Sequence, residues 1–494
     1  MRERLSGECC AEFLPALDNG NVVGPTSGTQ AVARDANGET AGEIFVASAR
    51  STQTMAAFAA VTTLFFAWGF ITSLVDPLVA AVKGIFTLTD LQAQMSAFAF
   101  FFAYFVVSFP AAALVSKIKA VPAIIAALMM MIAGCLIMLA AANAANYWLV
   151  LGGLFVMASG ITVLQVAANP LAAALGDPKG SHFRLVLSQT FNSVGTFLGP
   201  LIGAHLFLEG VEVKPGTVVT EAVRAQALAG IDTAYLWICG LIAALAAFFW
   251  FSRRVVNEAA PAASVGAQVG LGGLVSSAFS SKWALLGGLA IFLYVGAEVA
   301  IGTQMALFLN GDSVWGKSDA PFGVPVLGYL MGSDGVPGVS LQEAGKAVAF
   351  YWGGAMVGRA LGSVLLTMVR ADKLLALFTA IAAAMCLFVF AVGGVNSGFV
   401  ALSIGLFNSI MFPVIFTLTL ERSTASPEAT SGLLCTAIVG GAILPLLVGA
   451  VSDGNGYAFA MIVPAACYVV LCVFAVAAGR TPAVRAEGEV VSIH

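Results

Sequence analysis

Long apolar runs alternate with short polar breaks from Met55 onward. Each run has about 20 residues, enough to cross about 30 Å of hydrocarbon at about 1.5 Å of helix per residue. The pattern predicts twelve membrane-spanning helices, which we number as spans in chain order. Spans 1 to 12 are predicted at 55–82, 92–115, 121–142, 147–175, 184–208, 232–251, 282–309, 344–369, 374–393, 397–420, 431–451 and 457–478.

The polar stretches divide the chain into five predicted parts. Residues 1–54 are rich in Gly, Asn, Thr and Asp, a composition that predicts a disordered cytoplasmic tail. Residues 252–281 predict a cytoplasmic linker between two six-helix bundles, 55–251 and 282–478, and residues 479–494 predict a second cytoplasmic tail. The expected fold class is an all-α membrane protein.

The two predicted bundles echo each other. Gln165 precedes Pro170 by five residues in span 4, and Asn408 precedes Pro413 by five residues in span 10. Matching features in matching spans are typical of transporters built from two repeats, whose substrate site lies between the repeats. The echo therefore predicts a site at the junction of the two bundles.

Composition and charge agree with this reading. The chain is 60% hydrophobic and 10% charged, against about 25% charged residues in soluble domains. Its net charge of -4, without a basic stripe, argues against nucleic acid as a partner. Walker A, zinc-site and serine-hydrolase patterns are missing from the sequence, so we expect neither an enzyme nor a cofactor nor a metal site.

Basic residues in short loops predict the orientation, because Lys and Arg are retained in the cytoplasm. They follow the even-numbered spans, so both termini are predicted to be cytoplasmic, in a multi-pass protein of a bacterial inner membrane. The residues are Lys117, Lys119, Lys179, Arg184, Arg253, Arg254, Arg370, Lys373 and Arg422.

Four amides interrupt spans 4 and 5. Gln165 and Asn169 are four residues apart and Gln189 and Asn192 are three apart, so each pair lies on one face of its helix. An unpaired amide in hydrocarbon costs several kcal/mol, so these groups should face a partner helix or a water-filled cavity. The set predicts either a polar pathway lining or hydrogen bonds that tie helices together.

Two carboxylates lie inside predicted spans, Asp76 in span 1 and Glu298 in span 7. In a low-dielectric cavity such a group can exchange a proton near neutral pH as its access to water changes. Asp76 could instead be a solvated helix end, since Lys83 follows it closely. Arg359 of span 8 is interpreted as structural, either a buried partner or a side chain reaching the cytoplasmic interface.

Three segments resemble a known family: LQVAANP (164–170), SHFRLVLSQTFNS (181–193) and YVGAE (294–298). They look like the fucose/glucose/galactose permeases of the major facilitator superfamily. The resemblance implies the twelve-helix major facilitator fold and transport by alternating access. It implies proton coupling at Asp76 and a sugar cavity along Gln189 and Asn192.

One residue departs from the fucose permeases in this resemblance. Fucose permeases carry a Glu that takes part in coupling where this chain has Gln165. Glucose/galactose-type members are more similar, with Gln in span 4 and Glu in the span 7 segment. The departure favours a hexose such as glucose or galactose over fucose, and leaves Asp76 and Glu298 as the cation-coupling candidates.

The residue types independently suit a sugar. Amides both donate and accept hydrogen bonds, as sugar hydroxyls do, and an aromatic face completes many such sites. In span 1, Trp68 and Thr72 lie eight and four residues before Asp76, so ring, hydroxyl and carboxylate share a face. The sugar-binding candidates are Gln165, Asn169, Gln189, Asn192, Trp68, Thr72, Tyr294 and Asn408.

The sequence thus predicts a monomeric transporter that imports a neutral hexose by proton symport across the bilayer. Fucose or an N-acetylhexosamine as substrate, sodium coupling and uniport remain alternatives. Two other classes remain open as well, a drug exporter and a membrane sensor that transports nothing. Fewer paired amides would be expected of an exporter, and no coupling carboxylate would be needed in a sensor.

Overall fold

In the computed structural model the chain is helical, and the structure describes residues 52–73, 90–144, 146–203, 221–260, 270–333 and 335–484. The helices of the first half correspond to spans 1 to 6. They are α1 (Thr52–Ser73), α2 (Asp90–Ile118), α3 (Ala120–Asn143), α4 (Tyr147–Ala174), α5 (Ser181–Gly203) and α6 (Glu221–Ala259).

The second half contains spans 7 to 12 and two short helices outside them. Spans 10, 11 and 12 are each built from two consecutive α-helices. The helices are α7 (Leu271–Ser280), α8 (Lys282–Leu309), α9 (Pro325–Met331), α10 (Leu341–Leu365), α11 (Ala371–Val392), α12 (Gly394–Asn408), α13 (Met411–Arg422), α14 (Pro427–Thr436), α15 (Gly440–Asn455), α16 (Tyr457–Ala460) and α17 (Ile462–Arg480).

The predicted all-α membrane architecture is confirmed. Within the described ranges, ten helical stretches are long and apolar enough to cross a membrane. The helices of spans 5 and 8, α5 and α10, are not among these ten. Both carry amide, hydroxyl or charged side chains along their length, which lowers their mean hydropathy, and they pack against each other.

Helices extend beyond the predicted spans where polar ends continue outside the hydrocarbon. Span 7 coincides with α8, whereas α6 runs from Glu221 to Ala259 and passes both predicted ends of span 6. The predicted linker contains α7. The end of span 1, with Asp76, lies outside the described residues, as do 1–51 and 485–494.

Proline interrupts span 10 and leaves a backbone acceptor free. Because Pro413 has no N–H, the carbonyl of Ser409 has no donor four residues on, and the helix breaks between α12 and α13. The Arg359 Nε donates to this carbonyl at 2.8 Å. A side chain from span 8 thus satisfies the acceptor that the proline exposes.

The same arrangement occurs in span 4, with the donor in the opposite half. Pro170 lies inside α4 and leaves the carbonyl of Val166 without its helical donor. The hydroxyl of Ser431, in α14, donates to it at 3.1 Å. The first half is therefore joined to the second through a carbonyl that Pro170 exposes.

Several helix pairs join the two halves: α5 packs against α10 and α13, and α14 packs against α2 and α4. At Gly432 in α14 an added Cβ would lie 2.9 Å from the Ala112 Cβ of α2, so these two helices are in close contact. The contact lies toward the end of the bundle where α2, α6 and α13 end, which we call the basic end after Lys117, Arg253 and Arg422.

Candidate functional site

The amides of α4 and α5 lie in the interior of the first half. Gln165, Asn169 and Gln189 are all buried. The Gln165 Nε2 donates to the hydroxyl of Tyr104 in α2, and the Gln189 Nε2 donates to the Asn169 Oδ1 at 3.3 Å. The Asn169 Nδ2 is buried without a hydrogen-bond partner among the described residues, which leaves both of its N–H donors to spare.

Contacts between α1 and α5 place the second amide of α5. The Asn192 Nδ2 donates to the carbonyl of Phe65 at 3.0 Å, and the hydroxyls of Thr62 and Ser188 are 3.3 Å apart. Gly69 allows this close approach, because a Cβ there would lie 2.1 Å from the backbone oxygen of Asn192. Asn192 is therefore positioned by backbone contacts.

The predicted polar face of span 1 is partly described. Trp68 is buried, with its ring centroid 5.6 Å from that of Phe65. The Thr72 hydroxyl donates to the carbonyls of Trp68 and Gly69, so its proton is used within its own helix. Asp76 lies outside the described residues.

A charge pair lies where the two halves meet. The Arg359 Nη2 is 3.8 Å from the Glu298 Oε1, and the two side chains are 13% and 12% exposed. The Arg359 Nη1 donates to the hydroxyl of Ser193, the residue after Asn192 in α5. With its bond to the Ser409 carbonyl, one guanidinium connects spans 5, 7, 8 and 10.

Asn408 lies in a buried network of the second half. Its Nδ2 donates to the Tyr351 hydroxyl at 2.7 Å, and that hydroxyl donates to the backbone carbonyl of Glu298 at 3.0 Å. Tyr294 is buried one helical turn before Glu298, on the same face of α8. This network fixes the backbone that carries the buried carboxylate.

The two halves pair their amides in the same way. Gln165 of span 4 bonds Tyr104 of span 2, and Asn408 of span 10 bonds Tyr351 of span 8. Spans 2 and 8, like spans 4 and 10, are equivalent positions in a repeat of six. The echo seen in the sequence thus has a three-dimensional counterpart, although among the described residues a carboxylate lies beside it in the second half only.

His182 makes a further contact between the halves, near the basic end. It lies in the first turn of α5, and its Nδ1 is 2.6 Å from the hydroxyl of Thr417 in α13. Its Nε2 is 2.9 Å from the Glu421 Oε1. Arg422 donates to the other oxygen of that carboxylate at 3.0 Å.

Arg359 is the residue that sequence reasoning undervalued. Its signal was a single cation well inside a predicted span, in the segment GRALG (358–362). An intramembrane charge usually marks a functional site, and the partner decides its role. Here the partners are a carboxylate, a hydroxyl beside the amides and a free carbonyl, which sequence spacing does not reveal.

The chain matches a known protein family and several known proteins. The family model described as Major Facilitator Superfamily matches residues 56–430. A glucose/galactose transporter of Brucella abortus is 38% identical over 420 residues, which cover 85% of this chain and 93% of that protein. A putative glucose/galactose transporter of Helicobacter pylori is 33% identical, covering 86% and 97%.

Fucose transporters are also similar. The L-fucose-proton symporter of Escherichia coli is 29% identical over 434 residues, covering 85% of this chain and 92% of that one. A crystal structure of the transporter FucP in the outward conformation matches with a TM-score of 0.73 and 28% identity. The match covers 87% of this chain and 100% of that chain.

Proposed function

Because this chain belongs to the Major Facilitator Superfamily, we propose that it is a secondary active transporter that carries a neutral hexose of the glucose or galactose type. The relatives with the higher identities given above are named for these two sugars. The proposed coupling ion is a proton, as in the symporter of Escherichia coli.

The observation that carries the proposal is the group of amides in α4 and α5, which is followed directly along α5 by Ser193, the residue that Arg359 contacts at the junction of the halves. A hexose presents hydroxyls that donate and accept, and the buried Gln165, Asn169 and Gln189 offer both functions, as does the half-buried Asn192. The spare Nδ2 of Asn169 supports a role beyond helix packing. Trp68 and Tyr294 supply the proposed aromatic faces. Thr72 and Asn408 are proposed to contribute by holding neighbouring groups of the site in place.

Proton coupling is proposed to act through Glu298, together with Asp76. A carboxylate in this setting exchanges protons as its water access changes. While Glu298 is charged, it attracts Arg359, which also holds Ser193 of the other half. A proton on Glu298 removes that attraction and leaves the guanidinium held by Ser193 and the Ser409 carbonyl, so protonation changes the balance of contacts where the halves meet.

We further propose that the basic end faces the cytoplasm, with both termini on that side of a bacterial inner membrane. The basic residues after the even-numbered spans support this orientation. We propose two six-helix bundles at 55–251 and 282–478, a linker at 252–281, cytoplasmic tails at 1–54 and 479–494, and a monomer as the working unit.

Uptake by the purified chain in proteoliposomes tests the proposal. Labelled glucose, galactose, fucose and N-acetylglucosamine are offered with a pH gradient, with a sodium gradient, and with neither. Accumulation of glucose or galactose driven by the pH gradient alone is expected. Accumulation only with sodium would replace the coupling ion, and the absence of both accumulation and exchange for every sugar would contradict sugar transport.

A further inference from the structure

The short helix α9 presents apolar side chains outward from the second half, although it lies outside the predicted spans. Val326, Tyr329 and Leu330 are 69%, 90% and 41% exposed, whereas Leu327 and Met331 are buried. Residues 320–332, which include all of α9, contain no charged side chain. An apolar patch of this kind at the edge of a protein indicates contact with lipid or with another protein.

The contact between Lys346 and α9 shows on which side of α10 the short helix lies. The Lys346 Nζ donates to the carbonyl of Met331, the last residue of α9, at 2.9 Å, and α9 packs against α10. Val357 follows Lys346 by three helical turns on the same face of α10. Leu361 and Val364 continue that face, and all three apolar side chains are exposed. Lys346 therefore lies at the end of the lipid-facing side of α10.

This side of α10 is opposite to the one that faces the first half. Arg359, which contacts Ser193 of α5, is two residues beyond Val357, a rotation of about 200° around the helix. The helix α9 is thus at the outer edge of the second half, away from the junction that holds Arg359. Lys346 is the third residue of predicted span 8, so α9 ends near the boundary of the hydrocarbon.

Hydrogen bonds fix the segment between α8 and α10 to the second half. The buried Trp315 donates from its Nε1 to the carbonyl of Val395, at the start of α12, at 2.9 Å. The Asn310 Nδ2, at the end of α8, donates to the carbonyl of Val339 at 2.9 Å. The N–H of Val339 in turn donates to the carbonyl of Trp315 at 3.0 Å. The position of α9 is therefore set by the fold of the second half.

We propose that α9 is an interfacial anchor whose exposed face inserts into the bilayer at the end opposite the basic end. Val326, Tyr329 and Leu330 enter the boundary between headgroups and acyl chains, the depth at which Tyr is enriched in membrane proteins. Lys346 places an ammonium at the level of the lipid phosphates, which attract it. The exposed face of α9 and the lipid-facing side of α10 then form one continuous surface that contacts lipid.

Lipid fits this patch better than a second copy of the chain does. A stable protein interface buries about 800 Å² on each partner, far more than three side chains on a helix of seven residues can supply. The patch also continues a side of α10 that already faces lipid, and it needs no further element to complete it.

Fluorescence quenching in proteoliposomes tests the proposal without a sugar. Tyr329→Cys and the control Lys317→Cys are made in the full-length chain after its eight cysteines are replaced, and each is labelled with the same fluorophore. Lys317 belongs to the same segment, and its charged side chain is 73% exposed. The label at 329 should lose most of its fluorescence to phosphatidylcholine that carries a nitroxide near the headgroup, and little to iodide present on both sides of the membrane. The label at 317 should show the reverse.

The depth of quenching separates an anchor from a merely exposed loop. A nitroxide near the headgroup should quench the label at 329 more strongly than one near the end of the acyl chain. Val326→Cys, one turn earlier on the same face of α9, repeats the measurement if the first variant fails to fold. Iodide quenching at 329 equal to that at 317 would place α9 in water and overturn the proposal. Protection of 329 from both quenchers would also overturn it, in favour of a second copy over the patch, and neither result bears on the proposed sugar transport.

Discussion

At the scale of single residues, the buried carboxylate of Glu298 has the most specific expected effect. Glu298→Gln keeps the size of the side chain and removes both its charge and its proton exchange. Accumulation driven by a pH gradient should be lost, while exchange of labelled for unlabelled sugar should persist, because exchange needs binding and movement only. Asp76→Asn is the parallel variant in span 1.

The comparison is made on protein reconstituted at matched amounts, with accumulation and exchange measured on the same vesicles. If Glu298→Gln accumulates sugar as the wild type does, Glu298 is not a coupling group. An equal loss of both activities in a folded variant would assign Glu298 to binding.

Even a conservative substitution of Arg359 should lower stability and activity. Lysine keeps the charge but replaces a planar fork by a single ammonium, which cannot reach Glu298, Ser193 and the Ser409 carbonyl together. Loss of one hydrogen bond from a charged group costs about 1.5–3 kcal/mol. Arg359→Lys should therefore lower both the unfolding temperature and the rate of sugar exchange.

Arg254→Lys is the matched control, because Arg254 is exposed at the end of α6. Its unfolding temperature, measured by thermal shift in the same detergent, should stay at the wild-type value. An Arg359→Lys protein as stable and active as this control would show that the charge alone is sufficient.

At the scale of helices, the close approach of α1 to α5 requires glycine at position 69. A Cβ at position 69 would lie 2.1 Å from the Asn192 backbone oxygen, so Gly69→Ala must push the two helices apart. Overpacking of this kind costs about 1–3 kcal/mol. We expect a lower unfolding temperature and weaker sugar exchange, because Asn192 moves with the backbone it contacts.

Gly152→Ala is the control within the same half. A Cβ at position 152 meets nothing within 4 Å, so this variant should be at least as stable as the wild type, given the better helix propensity of Ala. If the Gly69→Ala protein has the same unfolding temperature as the control, α1 and α5 tolerate wider spacing.

Hydropathy was sufficient to predict most helices, because a span is a property of about 20 consecutive residues. Span 7 was predicted with the bounds that α8 has, and the amides of spans 4 and 5 were identified from spacing alone. The hydrogen-bond partners of these amides were not predicted. Tyr104 and Tyr351 were two of many aromatics, and the one that meets an amide depends on how each helix is rotated in the bundle.

The breaks in span 10 and span 11 were not predicted either. Pro413 predicts a bend, but the length of the interruption depends on whether another donor reaches the exposed carbonyl. That donor is Arg359, which is about 50 residues away along the chain and becomes adjacent only through tertiary packing. Local sequence signals therefore identify where a helix is interrupted, but they do not identify the distant donor that bonds the exposed carbonyl.

At the scale of the whole molecule, alternating access requires α14 to separate from α2. A disulfide between Ala112→Cys and Gly432→Cys, in a chain whose own cysteines are replaced, should hold the basic end closed. The two Cβ positions would be 2.9 Å apart, so a small shift brings them to the about 3.8 Å that a disulfide needs. Sugar exchange should stop after oxidation and return with dithiothreitol.

The single variant Ala112→Cys, treated in the same way, should exchange sugar before and after oxidation. Persistent exchange in the oxidised double variant, with the cross-link verified by mass spectrometry, would mean that the halves move elsewhere.

The carbonyl that Pro170 exposes has a further consequence for hydration. In the structure its donor is the Ser431 hydroxyl of the other half, and its own helix has no N–H to offer. When the halves part, the acceptor at Val166 must be solvated, since a bare carbonyl in an apolar interior costs a substantial part of a protein's stability. Opening at the basic end must therefore admit water at least to the depth of Val166, close to Gln165, so that the substrate path is wetted before a sugar can leave.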